Sequence, residues 1–235
     1  MNLIVEVGML AREKAENTND LKDLNLVFEN LNDVLFKNQL PEVFEPENLN
    51  PEERLRLEMH GFDGLHYLRR FAAYISETGS IPAEPGNEDA SEDKILAKYF
   101  RNYFKIHTKQ SLLTRLFSRK EVIKPRFSHI IVHSDSEGFY VPLAFEDVIL
   151  TNEKVIPGGM IGSSYRLKDE CEELARHLEL NLNIHPDSDE IKSLIQSHGK
   201  SEIKWRYFGI ESFTCIRLYH AALKSIELHS CITFS

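Results

Sequence analysis

The spacing of hydrophobic residues along the chain has two periods, and together they predict a mixed fold. The opening run LIVEVGML is short, β-branched and apolar around one glutamate, which is typical of a buried strand. Longer segments carry apolar residues every three or four positions, as amphipathic helices do. These predicted helical segments are 20–41, 63–79, 93–107, 163–180 and 214–228.

Two β-rich runs in the middle of the chain predict a β-hairpin. They are FSHIIVH (127–133) and FYVPLAF (139–145), joined by SDSEG, in which Gly138 could supply a positive φ. The ending CITFS predicts a C-terminal strand that could lie beside the first strand. We therefore expect one α+β domain over residues 1–235. A small mixed sheet, made of the N-terminal strand, the hairpin and the C-terminal strand, would pack with several amphipathic helices.

Charge is strongly segregated along the sequence. Residues 1–92 carry 8 Lys and Arg against 19 Asp and Glu, whereas residues 93–130 carry 10 against 2. The Pro- and Gly-containing stretch near 79–93 is predicted to be a flexible acidic loop, and 93–126 a basic helical segment. This basic segment could pair internally with the acidic N-terminal third or could form an interaction surface.

His133, Asp135 and Glu137 form the first candidate site. Residues two apart face the same side of an extended chain, so an imidazole and two carboxylates could converge and act as a general base. The alternative is a structural turn, because Ser, Asp and Glu side chains before a glycine commonly accept hydrogen bonds from nearby backbone N–H groups. We slightly favour the turn. Without a second ligand motif, we predict no metal site.

The second candidate is the glycine-rich stretch PGGMIGSSYRL, which leads into a helix. Arg166 lies in the first turn, where a cation is unfavourable unless an anion binds the exposed N–H groups. Gly162, Ser163 and Ser164 would then complete an anion-binding site, with His66 and Arg69 of the second predicted amphipathic helix nearby. The alternative is a capped helix whose arginine reaches a surface carboxylate.

The blocks VEVGML, GLHYLRRFAA, HSDSEGFYVP and GSSYRL resemble a group of uncharacterised bacterial single-domain proteins. The resemblance extends in blocks over most of the chain and is weakest around 93–130. It implies a single cytoplasmic domain and brings no assigned reaction.

Two functions remain open. We favour a non-catalytic binding protein of the immunity or inhibitor type, whose acidic surface would cover a basic protein partner, since we find no complete catalytic motif. The alternative is an enzyme or sensor for a small anionic, phosphate-bearing ligand. The pI of 5.6 disfavours nucleic acid as a partner. We expect no cofactor and, because the apolar runs are short, no membrane partner. Three cysteines without a CxxC spacing favour the cytoplasm.

Overall fold

In the part of the chain that the structure describes, a six-stranded mixed sheet forms the centre of the fold. The computed structural model describes residues 3–16, 21–109, 125–134 and 136–235. The strands are β1 Ile4–Val7, β2 Leu55–Glu58, β3 Phe139–Val141, β4 Ile149–Leu150, β5 Met160–Ser163 and β6 Ile232–Phe234. They lie in the order β2-β1-β6-β3-β5-β4. Strands β3 and β5 are parallel and the other neighbours are antiparallel.

The five longest helices that the structure describes agree with the predicted helical segments, and the α+β class is confirmed. They are α1 Met9–Glu16, α2 Leu21–Lys37, α3 Asp63–Thr78, α4 Lys94–Lys109, α5 Ser128–Ile131, α6 Ser164–Leu178, α7 Asp189–Lys192, α8 Leu194–Ser197, α9 Lys204–Tyr207 and α10 Gly209–Leu228. The pairing of the chain's two end strands is confirmed too, since Val5 lies opposite Phe234 and Val7 opposite Ile232. Within the described ranges, no helix has the length and apolar character needed to cross a membrane.

The sheet separates two apolar clusters, because alternate residues of a strand face opposite sides. Tyr140 of β3 belongs to one cluster, together with residues of α3, α4, α6 and α10. Its neighbours Phe139 and Val141 belong to the other, together with Phe28 and Leu31 of α2. Helix α2 therefore covers the sheet face opposite to α3, α6 and α10. This arrangement places α2 and the basic helix α4 on opposite faces of the sheet.

The predicted β-hairpin is wrong. Residues 128–131 form the helical turn α5, and β3 pairs with the parallel strand β5 and the antiparallel strand β6. The β-branched sequence of this segment is overridden by a carboxylate from α6. Glu170 accepts hydrogen bonds from the N–H groups of His129 and Ile130 at 3.1 and 2.8 Å, so it caps the turn.

Arg69 of α3 fixes the other end of α5. Its side chain is 6% exposed, and it donates to the carbonyl oxygen of Ile130 at 3.0 Å and to that of His133 at 2.6 Å. Both carbonyls lie at the end of the short helix, where no further helical N–H is available to them. The guanidinium thus joins α3 to the segment that leads into β3.

The acidic loop 79–93 contacts the helices around it. Arg70 binds Asp93 at 2.9 Å, and the N–H of Gly86 donates to the buried Glu211 at 2.7 Å. Asp93 also accepts the N–H of Ile95, at the start of α4, and these bonds lower the pKa of Asp93 against the opposing effect of its burial. In the basic segment, residues 110–124 lie outside the described residues, while Lys98 of α4 pairs with Glu77 at 3.0 Å.

We predict that Arg69→Met lowers the free energy of unfolding by about 2–5 kcal/mol, because two buried carbonyls lose charge-assisted hydrogen bonds. Urea denaturation followed by circular dichroism measures the change. Arg101→Met, at an exposed position of α4, is the control and should change stability by less than about 0.5 kcal/mol. Equal effects of the two substitutions would contradict the structural role of Arg69.

Candidate functional site

His133 lies in the core rather than in a solvent-accessible site. Its ring is 2% exposed and stacks on Tyr140 with the ring centroids 4.0 Å apart. The two ring nitrogens lie 3.1 Å from the carbonyl oxygens of Ser134 and Phe139. Burial lowers the pKa of His133 to about 4, so the imidazole is neutral at pH 7. Glu137 is exposed, and Asp135 lies outside the described residues.

The glycine-rich segment at the start of α6 also makes its contacts within the protein. A Cβ on Gly162 would lie 2.4 Å from the ring of Tyr140, so this glycine permits aromatic packing. Ser163 caps α6 by accepting the N–H of Arg166 at 3.2 Å, and the hydroxyl of Ser164 bonds Ser225 at 2.7 Å. The Arg166 guanidinium binds the carboxylate of Glu146.

The structure therefore brings only some of the predicted residues together. His133 and Gly162 are neighbours in the core, and Arg69 reaches the backbone of His133. Arg166 is turned toward Glu146, and His66 lies half-buried on α3. This arrangement joins α3, α5, β3 and α6 through internal hydrogen bonds. At the start of α6, Arg166 binds a surface carboxylate, that of Glu146.

Among the described residues, no group of three or more His, Cys, Asp or Glu side chains is placed to hold a metal ion.

Several cations of the acidic N-terminal third are used inside the fold or in ion pairs. Arg12 contacts Glu6 and Glu13 at 2.7 Å and Glu16 at 3.2 Å. Arg69 is buried against backbone carbonyls, and Arg70 binds Asp93. Residues 1–92 carry 19 Asp and Glu against these and five other cations, so this part of the chain keeps a large excess of negative charge.

Helix α2 and the segment after it carry a row of exposed carboxylates. We call Asp23, Glu29, Asp33 and Glu42 the α2 acidic face; all four are exposed. Within the described part of the chain, none of them forms an ion pair. Asp23 and Asp33 are ten residues apart, which corresponds to about 15 Å along a helix. Lys37 is also exposed, at the far end of α2.

Two polar contacts hold the segment after α2 against the body of the protein. The Asn32 side chain accepts the N–H of Val43 at 2.8 Å and donates to its carbonyl at 3.0 Å. Glu45 accepts hydrogen bonds from the Ser230 hydroxyl at 2.5 Å and the Cys231 N–H at 2.7 Å. Because Val43 and Glu45 are directed inward, the residues between and beside them, Glu42 and Phe44, are directed outward and are exposed.

The charge pattern of the sequence predicts an acidic surface in this region but does not identify its residues. The excess of acids over cations in residues 1–92 indicates an acidic surface. It does not tell which carboxylates are paired, since that depends on contacts such as Arg12 with Glu6. Phe36 could have been found, because it lies outside the helical spacing set by Phe28, Leu31 and Leu35.

Over nearly its whole length, the chain matches the model of a known protein family. The model of a family described as "Putative DNA-mimic protein" matches residues 1–234. No curated protein and no solved structure matches the chain.

This description contradicts the expectation on partners, which disfavoured nucleic acid and offered a basic protein or a small anion. An acidic pI disfavours direct binding to nucleic acid, because like charges repel. In a protein that imitates DNA, the same acidity stands in for the phosphates. Proteins that bind DNA are therefore the partner class to consider.

We predict that Glu45→Gln changes how stability depends on pH. Burial raises the pKa of Glu45 from 4.5 to about 7, against the opposing effect of its hydrogen bonds from Ser230 and Cys231. A raised pKa means that the folded state favours the protonated acid. The stability that this preference supplies is present below pH 4.5 and is lost as the pH rises through 7.

The glutamine of the variant cannot ionise, so the variant does not lose this stability as the pH rises. The difference in free energy of unfolding between variant and wild type should therefore shift by roughly 1–3 kcal/mol in favour of the variant between pH 5 and pH 8. Urea denaturation at a series of pH values measures the difference. Parallel profiles for the two proteins would show that Glu45 does not titrate in this range.

Proposed function

The chain belongs to this DNA-mimic family, and from that premise we propose that it binds a DNA-binding protein and occupies the surface that would otherwise hold DNA. The α2 acidic face would take the place of the phosphates. The protein would act as a non-catalytic inhibitor, because the partner cannot bind DNA and the mimic at the same surface.

The observation that carries the proposal is the unpaired state of these carboxylates. Glu29 and Asp33 are exposed and lie one helical turn apart on α2, with no ion pair to a cation of the described chain. Basic side chains of a DNA-binding surface can therefore reach them without displacing an internal partner. An exposed surface charge of one sign also speeds the encounter with an oppositely charged surface.

The charge of helix α4 favours α2 over the acidic loop as the binding surface. Glu88 and Asp89 of the loop are exposed too, but the loop runs directly into α4. Lys94 and Arg101 of that helix are exposed and would repel a basic partner. Helix α2 lies on the other face of the sheet, and charges in water are largely screened beyond about 8 Å at physiological salt.

The free cysteines support the cytoplasm as the compartment for this function. Cys171, Cys215 and Cys231 are all buried and none forms a disulfide. Reduced thiols are the usual state in a reducing compartment, where DNA-binding proteins of a bacterium would also be found.

We predict that the double substitution Glu29→Gln and Asp33→Asn weakens the ability of the protein to displace DNA-binding proteins from DNA. Proteins of a bacterial extract are bound to cellulose carrying duplex DNA, and the purified chain is applied at constant salt. Proteins released by the wild type are identified by mass spectrometry. The variant should need a roughly three- to thirtyfold higher concentration for the same release, because two ion pairs with the partner are lost.

The matched control is Glu88→Gln with Asp89→Asn, which removes the same two charges from the acidic loop. It should release the same proteins at the wild-type concentration. A loss in the loop variant instead would move the binding surface from α2 to the loop. If the wild type releases no protein, the proposed DNA mimicry is wrong.

A further inference from the structure

Three large apolar side chains are exposed on the same surface as the α2 acidic face. Leu26 is 55% exposed, Phe36 is 74% exposed and Phe44 is 78% exposed. Phe36 and Phe44 are the most exposed of the large hydrophobic residues that the structure describes. Single exposed apolar residues are common, but several on one surface mark an interaction site.

The contacts that hold residue 43 to α2 bring the two phenylalanines to the same side. Asn32 binds both backbone groups of Val43, so the chain after α2 returns along the helix at this position. Phe44 follows Val43 directly, and Phe36 lies one helical turn beyond Asn32. The residue after Phe44 is Glu45, which is held against the sheet by its hydrogen bonds from Ser230 and Cys231. The outward direction of Phe44 is thus set by contacts on both sides of it.

The fold uses neither aromatic ring in its own core. Phe28 of the same helix packs on Phe139 with the ring centroids 5.7 Å apart, which shows how an aromatic residue of α2 is placed when it stabilises the fold. Phe36 and Phe44 instead remain largely in contact with water, which is unfavourable for apolar surface. A partner that covers them would remove this unfavourable exposure.

We infer that Leu26, Phe36 and Phe44 form an apolar anchor that inserts into a hydrophobic pocket next to the basic, DNA-contacting residues of the partner. This inference rests on the proposed function and adds a second recognition element to it. The carboxylates would recognise a surface that binds DNA. The anchor would then distinguish among DNA-binding proteins, because only those with an apolar pocket beside the basic surface can accept it. Interfaces of this kind have an apolar centre and a charged rim.

A second copy of the chain is the other occupant to consider, and charge argues against it. A twofold interface brings the same patch of both copies together. Glu29 and Asp33 of one copy would then approach the same acidic surface of the other, with Glu42 nearby. Like charges at such an interface are repulsive, whereas a basic surface is complementary.

The experiment measures binding and crosslinking with one partner. A protein released from duplex DNA by the wild-type chain is purified, and its dissociation constant is determined at several KCl concentrations. Phe36→Ser with Phe44→Ser should weaken binding at least tenfold or so while leaving the salt dependence unchanged, since no charge is altered. Ile203→Ser is the matched control, because Ile203 is 54% exposed on another part of the surface, and it should bind like the wild type.

A photocrosslinker gives a second readout that keeps an aromatic group in place. With p-benzoylphenylalanine at position 44, irradiation should crosslink the chain to the purified partner, and excess duplex DNA should abolish the crosslink. The same replacement at position 203 should give none. If the double serine variant does not fold, this readout decides.

The outcomes separate the two ideas. If the wild type releases a protein but the serine variant binds it equally well, or position 44 gives no crosslink, the anchor is wrong and the proposed function stands. If the crosslink persists in excess DNA, the partner binds DNA and the chain at the same time, and the proposed function is wrong. If sedimentation shows a wild-type dimer that becomes a monomer on Phe36→Ser with Phe44→Ser, a second copy occupies the patch and the inference is overturned. If no protein is released, the proposed function fails and the anchor falls with it.

Discussion

The buried guanidinium of Arg69 is the interaction on which much of the structure depends. It satisfies the carbonyls of Ile130 and His133 and thereby sets the path of the chain into β3. Strand β3 in turn pairs with both β5 and β6, so the centre of the sheet depends on this path. A charged group in the interior is tolerated only where such hydrogen bonds replace water. Arg69 therefore contributes to the fold and adds nothing to the charge of the surface.

The use of cations inside the fold also explains the uneven charge of the molecule. Arg12 lies among three carboxylates and Arg70 binds Asp93, so these arginines offset acids next to them in the fold. Within the described ranges, Asp23, Glu29 and Asp33 of α2 form no ion pair, while the exposed cations of α4 lie in the layer on the other side of the sheet. The sheet thus separates the α2 acidic face from the cations of α4. Formal net charge, which averages over both surfaces, hides this polarity.

Much of the fold could be predicted from the sequence, because its signals are local. The apolar spacing of α2, α3 and α6 predicts those helices, and the apolar ends predict the pairing of β1 with β6. The hairpin could not be excluded in this way, because the partners that make residues 128–131 helical are far away in sequence. Glu170 lies about forty residues after α5, and Arg69 about sixty residues before it. Tertiary contacts of this range override the β propensity of isoleucine.

The candidate site shows the same limit for chemistry. His133 and Arg166 are clustered with polar residues in the sequence, and this clustering indicated a site. In the structure, their hydrogen bonds and ion pairs are satisfied internally, at Phe139 and Glu146. Phe36 and Phe44 carry no titratable group, so the clustering of polar residues in the sequence does not point to them. In the part of the chain that the structure describes, they are the most exposed of the large hydrophobic residues.

The spacing of charge on α2 bears on how such a surface could compete with DNA. Over about 15 Å the helix presents Asp23, Glu29 and Asp33. A duplex presents roughly four phosphates per strand over that length, and roughly nine on both strands. Binding to a polyphosphate also gains from the release of condensed counterions, which a few separate carboxylates do not supply to the same degree. Charge alone therefore leaves a mimic of this geometry weaker than DNA for the same basic surface. Apolar contacts that DNA cannot make, such as those available to Phe36 and Phe44, are the physical means by which the difference can be made up.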